Sequence, residues 1–380
     1  MRILHTADWH LGAYLGPYSR IAEQALFLAQ LNEIVDDCGA QLVLVAGDIF
    51  DTANPSAAAE RLFFDAMAGL TARGVAVALI AGNHDSPERL SASSSLTAKL
   101  GITTFSRPGV CEIAVGNEVA AIAAMPFISE KRLNEAIFSG GGEQSEADMQ
   151  KDFSAKVGEI FARQAAFFRA DSVNIAMGHF HLRGGEAGGG LERDILLGGS
   201  FAVNSADLPA AQYIALGHLH RPQKVGNAHY SGSPLPYSLH ERYPKAVFLA
   251  EIAAGQEARV EKIVLNCPKP VELWQVKTAA EALARCKIPS NSYVYINITD
   301  ESALNPHDIK EMHRLKSDIV QIGLAGGESG GEAPIFREKP LTPREEFIDF
   351  YSTMKGAIPN DEILAIFGEI LTSPEGGDNS

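Results

Sequence analysis

Five short clusters of Asp, Asn and His stand out along the chain. They are Asp8-Trp9-His10, Gly47-Asp48 with Asp51 after it, Gly82-Asn83-His84-Asp85, Gly178-His179 with His181 after it, and Gly217-His218-Leu219-His220. Carboxylate, amide oxygen and imidazole are hard-to-borderline donors that suit divalent ions such as Mn²⁺, and no thiolate is among them. Asp8 and His10, like His218 and His220, are two residues apart, so in extended backbone both side chains of a pair reach one side. The glycines that precede the polar residues let the backbone turn tightly and come close to a ligand. Taken singly, each cluster has a plain alternative. Gly-Asp is a common turn or helix cap, Asp-x-His a loop end, and Gly-His-x-His a pair of surface histidines.

The elements that must position these residues argue against coincidence. Met1–Leu4 reads as a short buried strand, and Ile21, Ala25, Leu28, Leu31 and Val35 put a helix over Tyr18–Cys38 with Gly39 as its stop. Gln41–Ala46 is a continuous apolar strand of the kind covered on both faces. A helix over Ser56–Ala72 and a strand over Val75–Ala81 follow, giving β-α-β-α-β over the first 85 residues and hence a layered α/β domain. Further strands are expected at Val119–Met125, Val173–Met177, Tyr213–Leu216, Ala246–Ile252 and Val260–Leu265, with a helix over Glu146–Arg169. Each polar cluster therefore follows an apolar strand. In open α/β sheets the carboxyl ends of the strands line the ligand crevice, where residues distant in sequence converge.

Composition changes at Pro268-Lys269-Pro270. Beyond it a small α/β unit is expected: strand Val271–Val276, helix Thr278–Cys286, strand Tyr293–Thr299, helix Pro306–Arg314 and strand Asp318–Gly323. Gly326–Pro334 reads as a linker. Thr342-Pro343-Arg344-Glu345 opens a helix with a capping box, and a second short helix is expected over Asn360–Leu371. The chain divides accordingly into 1–267, 268–324, a linker 325–341, and C-terminal helices and tail 342–380.

With a formal net charge of -15, attraction of a polyanion by the chain's own charge is not expected. Bound cations or a partner must supply it. The cysteines, Cys38, Cys111, Cys267 and Cys286, form no C-x-x-C pair, and their scatter fits a reducing compartment. No signal peptide and no membrane-length apolar run are read, so the expected location is the cytoplasm, with no membrane contact.

In order and spacing the five clusters resemble the signature of the calcineurin-like metallophosphoesterases. The likeness is closer to one family within them, the SbcD nuclease subunits of bacterial SbcC–SbcD complexes. It rests on Arg2–Gly12 (RILHTADWHLG), Val45–Thr52, Ala81–Ser86, Tyr213–His220 and Ser231-Gly232-Ser233-Pro234. The resemblance implies a layered α/β sandwich with a small α/β capping domain and C-terminal helices. It implies two divalent ions, Mn²⁺ by preference, about 3.5–4 Å apart. Asp8, His10 and His220 would hold one ion, Asn83, His179 and His218 the other, and Asp48 would bridge them. His84 would act as the acid beside the metals, with Asp85 either orienting it or serving as a turn residue, and His179 rather than His181 would be the ligand. Separately, by its place near the start of the first helix, Arg20 is a candidate for a phosphate contact, with a solvated surface arginine as the equal alternative. The implied activity is DNA phosphodiester hydrolysis: exonuclease on double-stranded ends, endonuclease on single strands and hairpins, in DNA repair and recombination. A homodimer would assemble with an SbcC-type ATPase as a heterotetramer, through the C-terminal helices. A phosphatase or cyclic-nucleotide phosphodiesterase acting on small substrates shares the same metal chemistry.

Overall fold

A computed structural model of the chain describes residues 1–128, 146–187, 202–300, 304–324 and Leu364. The expected C-terminal helices of residues 342–380 and the 325–341 linker lie outside the described residues, Leu364 apart.

The first half alternates strands and helices. β1 (Arg2–Thr6) is followed by a hairpin of β2 (Tyr14–Leu15) and β3 (Tyr18–Ser19), and only then by α1 (Ile21–Cys38). Helix α1 was expected from Tyr18. Instead Leu15 pairs with Tyr18 across Gly16, whose φ of 56° makes the turn. Gly39 closes the helix in the left-handed conformation. Its buried face carries Gln24 and Phe27 with Leu28, Leu31 and Val35, whereas Ala25 is exposed. β4 (Leu42–Val45), α2 (Ala57–Ala72, capped by the Ser56 hydroxyl), β5 (Ala76–Ile80), α3 (Pro87–Ala92), α4 (Ser94–Thr97) and β6 (Ile102–Phe105) come next. The second half holds β7 (Gly109–Val115), β8 (Glu118–Met125), α5 (Glu146–Ala165), β9 (Val173–His179), β10 (Tyr213–Gly217), β11 (Gln223–Val225), β12 (Ala228–Tyr230), β13 (Ala246–Glu251) and β14 (Arg259–Val264).

Two six-stranded sheets result, ordered β14-β13-β1-β4-β5-β6 and β11-β12-β10-β9-β8-β7. Alternate residues of each strand face different layers. Ile3, Leu42, Leu44, Ala78 and Ile80 meet Ile122, Ala124, Ile175, Met177 and Ala215 between the sheets. Leu4, Val43, Val45, Val77 and Leu79 face the other way, onto Phe27, Leu31 and Val35 of α1 and Phe63, Met67 and Leu70 of α2. Ala123, Ala176, Ile214 and Leu216 of the second sheet meet Val157 and Phe161 of α5. The order is thus helices, sheet, sheet, helix, and the continuously apolar strands are those buried on both faces.

β15 (Val271–Val276), α6 (Ala279–Cys286), β16 (Tyr293–Ile298), α7 (Pro306–Leu315) and β17 (Ile319–Leu324) form a parallel three-stranded sheet with its own core around Trp274, Val294, Ile296 and Met312. The β2–β3 hairpin seats this unit against the sandwich: Leu15 packs with Val271 and Tyr293, and the Tyr18 hydroxyl donates to the Ile319 carbonyl at 3.0 Å.

Candidate metal centre

The polar clusters sit at one end of the sandwich. β1, β4 and β5 run parallel in one sheet, as do β9 and β10 in the other. Asp8 and His10 follow β1, Asp48 follows β4, Asn83 follows β5, His179 ends β9, and His218 and His220 follow β10. The strand ends are tied together: the Asp8 amide donates to the Gly47 carbonyl and the His10 amide to the Asp48 carbonyl, each at 3.0 Å. Asp8, His10, Asp48 and His218 all take positive φ (54°, 45°, 49° and 93°). Such backbone costs on the order of 1–3 kcal/mol per non-glycine residue. Here it falls on four of the seven expected ligands. Gly82 shows why a glycine precedes Asn83, since a Cβ there would overlap the Asp48 carboxylate.

Backbone amides take one oxygen of each carboxylate and leave the other facing inward. The His218 amide donates to Asp8 Oδ1 at 2.8 Å and the His84 amide to Asp48 Oδ1 at 2.9 Å. Asp8 Oδ2 is buried with no hydrogen-bond partner. His10 Nε2 and His220 Nε2 are 3.1 Å apart. On the other side Asn83 Oδ1 lies 3.0 Å from both His179 Nε2 and His218 Nδ1. Asp48 Oδ2 stands between the groups, 3.3 Å from His179 Nε2 and 3.7 Å from His10 Nε2. Donor atoms of Asp8, Asp48 and His179, and of His10, Asp48 and His84, lie within 4.8 Å of one another.

The donor set calls for cations. His179 Nδ1 faces the Ala46 carbonyl at 2.8 Å and must donate to it, so its Nε2 presents a lone pair toward two further acceptors, Asn83 Oδ1 and Asp48 Oδ2. Buried acceptors converging without a proton or cation are strongly unfavourable. Protonation responds to this. Burial disfavours a charged His179, but Asp48 and Asp8 outweigh burial and raise its pKa to about 9. Burial also opposes ionisation of Asp48, and the surrounding imidazoles overcome it, holding that carboxyl well below its ordinary value. Burial and then repulsion from His179 push His218 down to about 3. The residues present therefore fit divalent metal ions.

Other expected residues fall in different places. His84 Nδ1 bonds to the Asp51 carbonyl at 2.7 Å, and its ring stands edge-on to His10 with centroids 4.7 Å apart. Asp85 was expected to orient His84. Its carboxylate instead accepts from the amides of Ile49, Phe50 and Gly82 at 3.1, 2.9 and 2.8 Å, pinning the loop after β4 to the loop after β5. Burial, with repulsion from Asp48, raises its pKa to about 6. Arg20 also departs from expectation. It is fully buried, bonded to the Pro236 carbonyl, 3.5 Å from Glu23 and 4.9 Å from the Tyr293 ring centroid. It holds α1 to the small sheet and presents nothing to a phosphate. His181 turns away to the Gly185 carbonyl at 3.4 Å. His5 is buried against the Tyr213 hydroxyl.

Several contacts escaped sequence reasoning. Gln24 accepts from the Gly12 amide at 3.0 Å and donates to the His10 carbonyl at 2.7 Å, bracing the β1 loop. Tyr237 packs edge-on against His10, and Phe127 stacks over His218. Glu241 bonds His220. None lies in a recognisable cluster, and Gln24 looks like one more polar residue on a helix.

Residues 1–222 match the family model described as calcineurin-like phosphoesterase, and the chain belongs to that family, a class of metal-dependent phosphoesterases. It is 36% identical over 393 residues to the SbcD component of the SbcCD nuclease of Bacillus subtilis, covering 99% of each chain. The SbcD components of the SbcCD nucleases of Rhodobacter capsulatus and Escherichia coli K12 are 37% and 32% identical over 74% and 71% of this chain, and 73% and 70% of their own. Within the class, then, the chain is a member of the SbcD nucleases.

Proposed function

We propose that the chain is the nuclease component of a DNA-processing complex, hydrolysing DNA phosphodiesters as a double-strand exonuclease and single-strand or hairpin endonuclease in repair and recombination. The observation that carries the chemistry is the crowding of buried acceptor atoms around Asp48, whose Oδ2 lies 3.3 Å from His179 Nε2 and 3.7 Å from His10 Nε2. Asp8, His10 and His220 would hold one ion and Asn83, His179 and His218 the other, with Asp48 between them, and Mn²⁺ suits these donors. Such a pair of ions supplies an activated water and neutralises charge on the phosphoryl oxygens. His84 is the residue beside them that moves a proton. With Nδ1 donating to the Asp51 carbonyl, the proton passed to the leaving oxygen would come from Nε2 of the doubly protonated ring. Asp85 supports this by fixing the loop that carries Asn83 and His84.

The names of the relatives support an SbcC-type ATPase partner, docked through residues 342–380, which carry two Lys/Arg against eight Asp/Glu. Residues 268–324 would cap the site and help position DNA. A homodimer, and with the ATPase a heterotetramer, completes the proposal. Phe64 on α2, 46% exposed beside a groove lined by Phe50, Phe63 and Leu90, offers apolar surface for a second copy. A cytoplasmic site of action suits the four free cysteines. Among the described residues no helix is long and apolar enough to cross a membrane.

The test is purified protein with Mn²⁺ on end-labelled duplex, hairpin and single-stranded DNA, with and without the ATPase, beside Asp48→Asn. Metal-dependent cleavage lost in the variant is expected. Turnover of a cyclic nucleotide with no DNA cleavage under any condition would move the chain to the small-substrate phosphodiesterases.

A further inference from the structure

Ser231-Gly232-Ser233-Pro234 has no part in the metal chemistry described above, yet the structure wraps it around one of the expected ligands. The Ser233 amide donates to the His220 carbonyl at 3.1 Å. Gly232, at φ 74°, lies so close that a Cβ would overlap that carbonyl. The Ser233 hydroxyl lies 2.7 Å from Lys245 Nζ and 3.1 Å from Glu241 Oε2. Lys245 Nζ bonds Glu241 Oε2 at 2.6 Å, and Glu241 Oε1 is 3.0 Å from His220 Nδ1. Glu241 and Lys245 are each only 3% exposed.

We infer that Glu241 and Lys245, anchored by Ser233, are positioning residues that hold the His220 ring so that its Nε2 lone pair points at the metal centre; this rests on the reading of His220 as a ligand. An ionised carboxylate only accepts, so its contact with Nδ1 requires an N–H there. The lone pair is then on Nε2, the atom 3.1 Å from His10 Nε2. Carboxylates that orient ligating imidazoles in this way commonly contribute 10- to 100-fold in metal affinity. Lys245 offsets the buried charge and occupies the second carboxylate oxygen, leaving the first for the ring. An ion pair that served only the core would have no need to engage the ring of His220 through Glu241 and its backbone through Ser233.

The experiment measures Mn²⁺ binding by isothermal titration and by spin counting in Glu241→Gln, in Glu241→Gln/Lys245→Met, and in His220→Ala as the control for the ligand reading. The double variant keeps the buried pair neutral if the single one does not fold. Wild type is expected to bind two ions, and the Glu241 variants to bind one of them about 10- to 100-fold more weakly with the other unchanged. His220→Ala should weaken the same ion. Weakening in His220→Ala with none in the Glu241 variants overturns the positioning role and leaves the ligand reading intact. Two undisturbed ions in His220→Ala sink the ligand reading itself. A lowered melting temperature of the metal-free variants with unaltered Mn²⁺ affinity assigns the pair to the core alone, against the inference. Nitrogen-15 histidine spectra of the metal-free wild type need no variant: a proton on Nδ1 of His220 is expected, and a ring protonated on Nε2 alone overturns the inference.

Discussion

At the scale of single residues, the proposed centre is made by what each candidate ligand's other atoms are doing. Asp8 and Asp48 each give one oxygen to a backbone amide, and His179 gives Nδ1 to a carbonyl. The remaining atoms have lone pairs facing inward, and a cation is the species that satisfies them together. His84 stands beside this group, its ring edge-on to His10 and its Nδ1 tied to the Asp51 carbonyl, and is proposed as the proton donor. His84→Gln should therefore lower kcat for DNA cleavage by about 10²- to 10⁴-fold while Mn²⁺ affinity measured by titration stays within error. A parallel loss of metal would make His84 a ligand instead. Gly82→Ala tests the close approach of backbone to Asp48. It should lose about 1–3 kcal/mol in urea unfolding, as overpacked sites do, and weaken Mn²⁺ binding with it. An unperturbed protein would show that the loop has room to spare.

Elements hold these residues at the ends of parallel strands, and the strands were legible because their residues are apolar in unbroken runs. The start of α1 was not. Tyr18 and Ser19 fit a helical face as well as a strand, and the choice was made by Leu15, Val271 and Tyr293 packing across the hairpin. The short β11 and β12 were missed for a similar reason: three residues carry no periodicity of their own, and their neighbour β10 decides them. Arg20 belongs to this scale. Its place under Tyr293 and beside Glu23 makes it a fastener between α1 and the small sheet. Arg20→Ala should destabilise the protein by about 3–5 kcal/mol, the range for removing one member of a buried ion pair, with little change in KM for DNA. A large rise in KM at unaltered stability would restore a phosphate contact.

Over the whole molecule, a net charge of -15 means that a polyanionic substrate is attracted locally, at the metal ions, or through a partner. The sandwich also stores a pH dependence away from the centre. His5 is buried against Tyr213, and His229 stacks on the same ring. Burial first, then each one's charged neighbours, lower His5 to about 3 and His229 to about 4 from an ordinary 6.5. Both folded values lie below the unfolded one, so the fold excludes a proton that the unfolded chain accepts. Stability from these groups is intact above pH 6.5 and falls as pH drops toward 4. His229→Phe keeps the ring stacking and should remove about one proton from the uptake on unfolding between those values, read from the slope of unfolding free energy against pH. An unchanged slope would contradict the neutral, buried assignment of His229.

The sequence by itself determined the chemistry. Asp, Asn and His behind five apolar strands point to a cation site whatever the exact loops, because those residue types at strand ends are suited to divalent ions; that the strands belong to two facing sheets was decided by the fold. The sequence also carried the layered arrangement, since runs such as Leu42–Val45 have no polar face to offer water. Tertiary structure decided the rest. That Asp85 reaches the loop after β4, that Arg20 is buried against Pro236, and that Glu241 stands behind His220 are facts about residues 36, 216 and 21 positions apart meeting in space. Such contacts depend on packing between elements, and no local pattern of residue types encodes them.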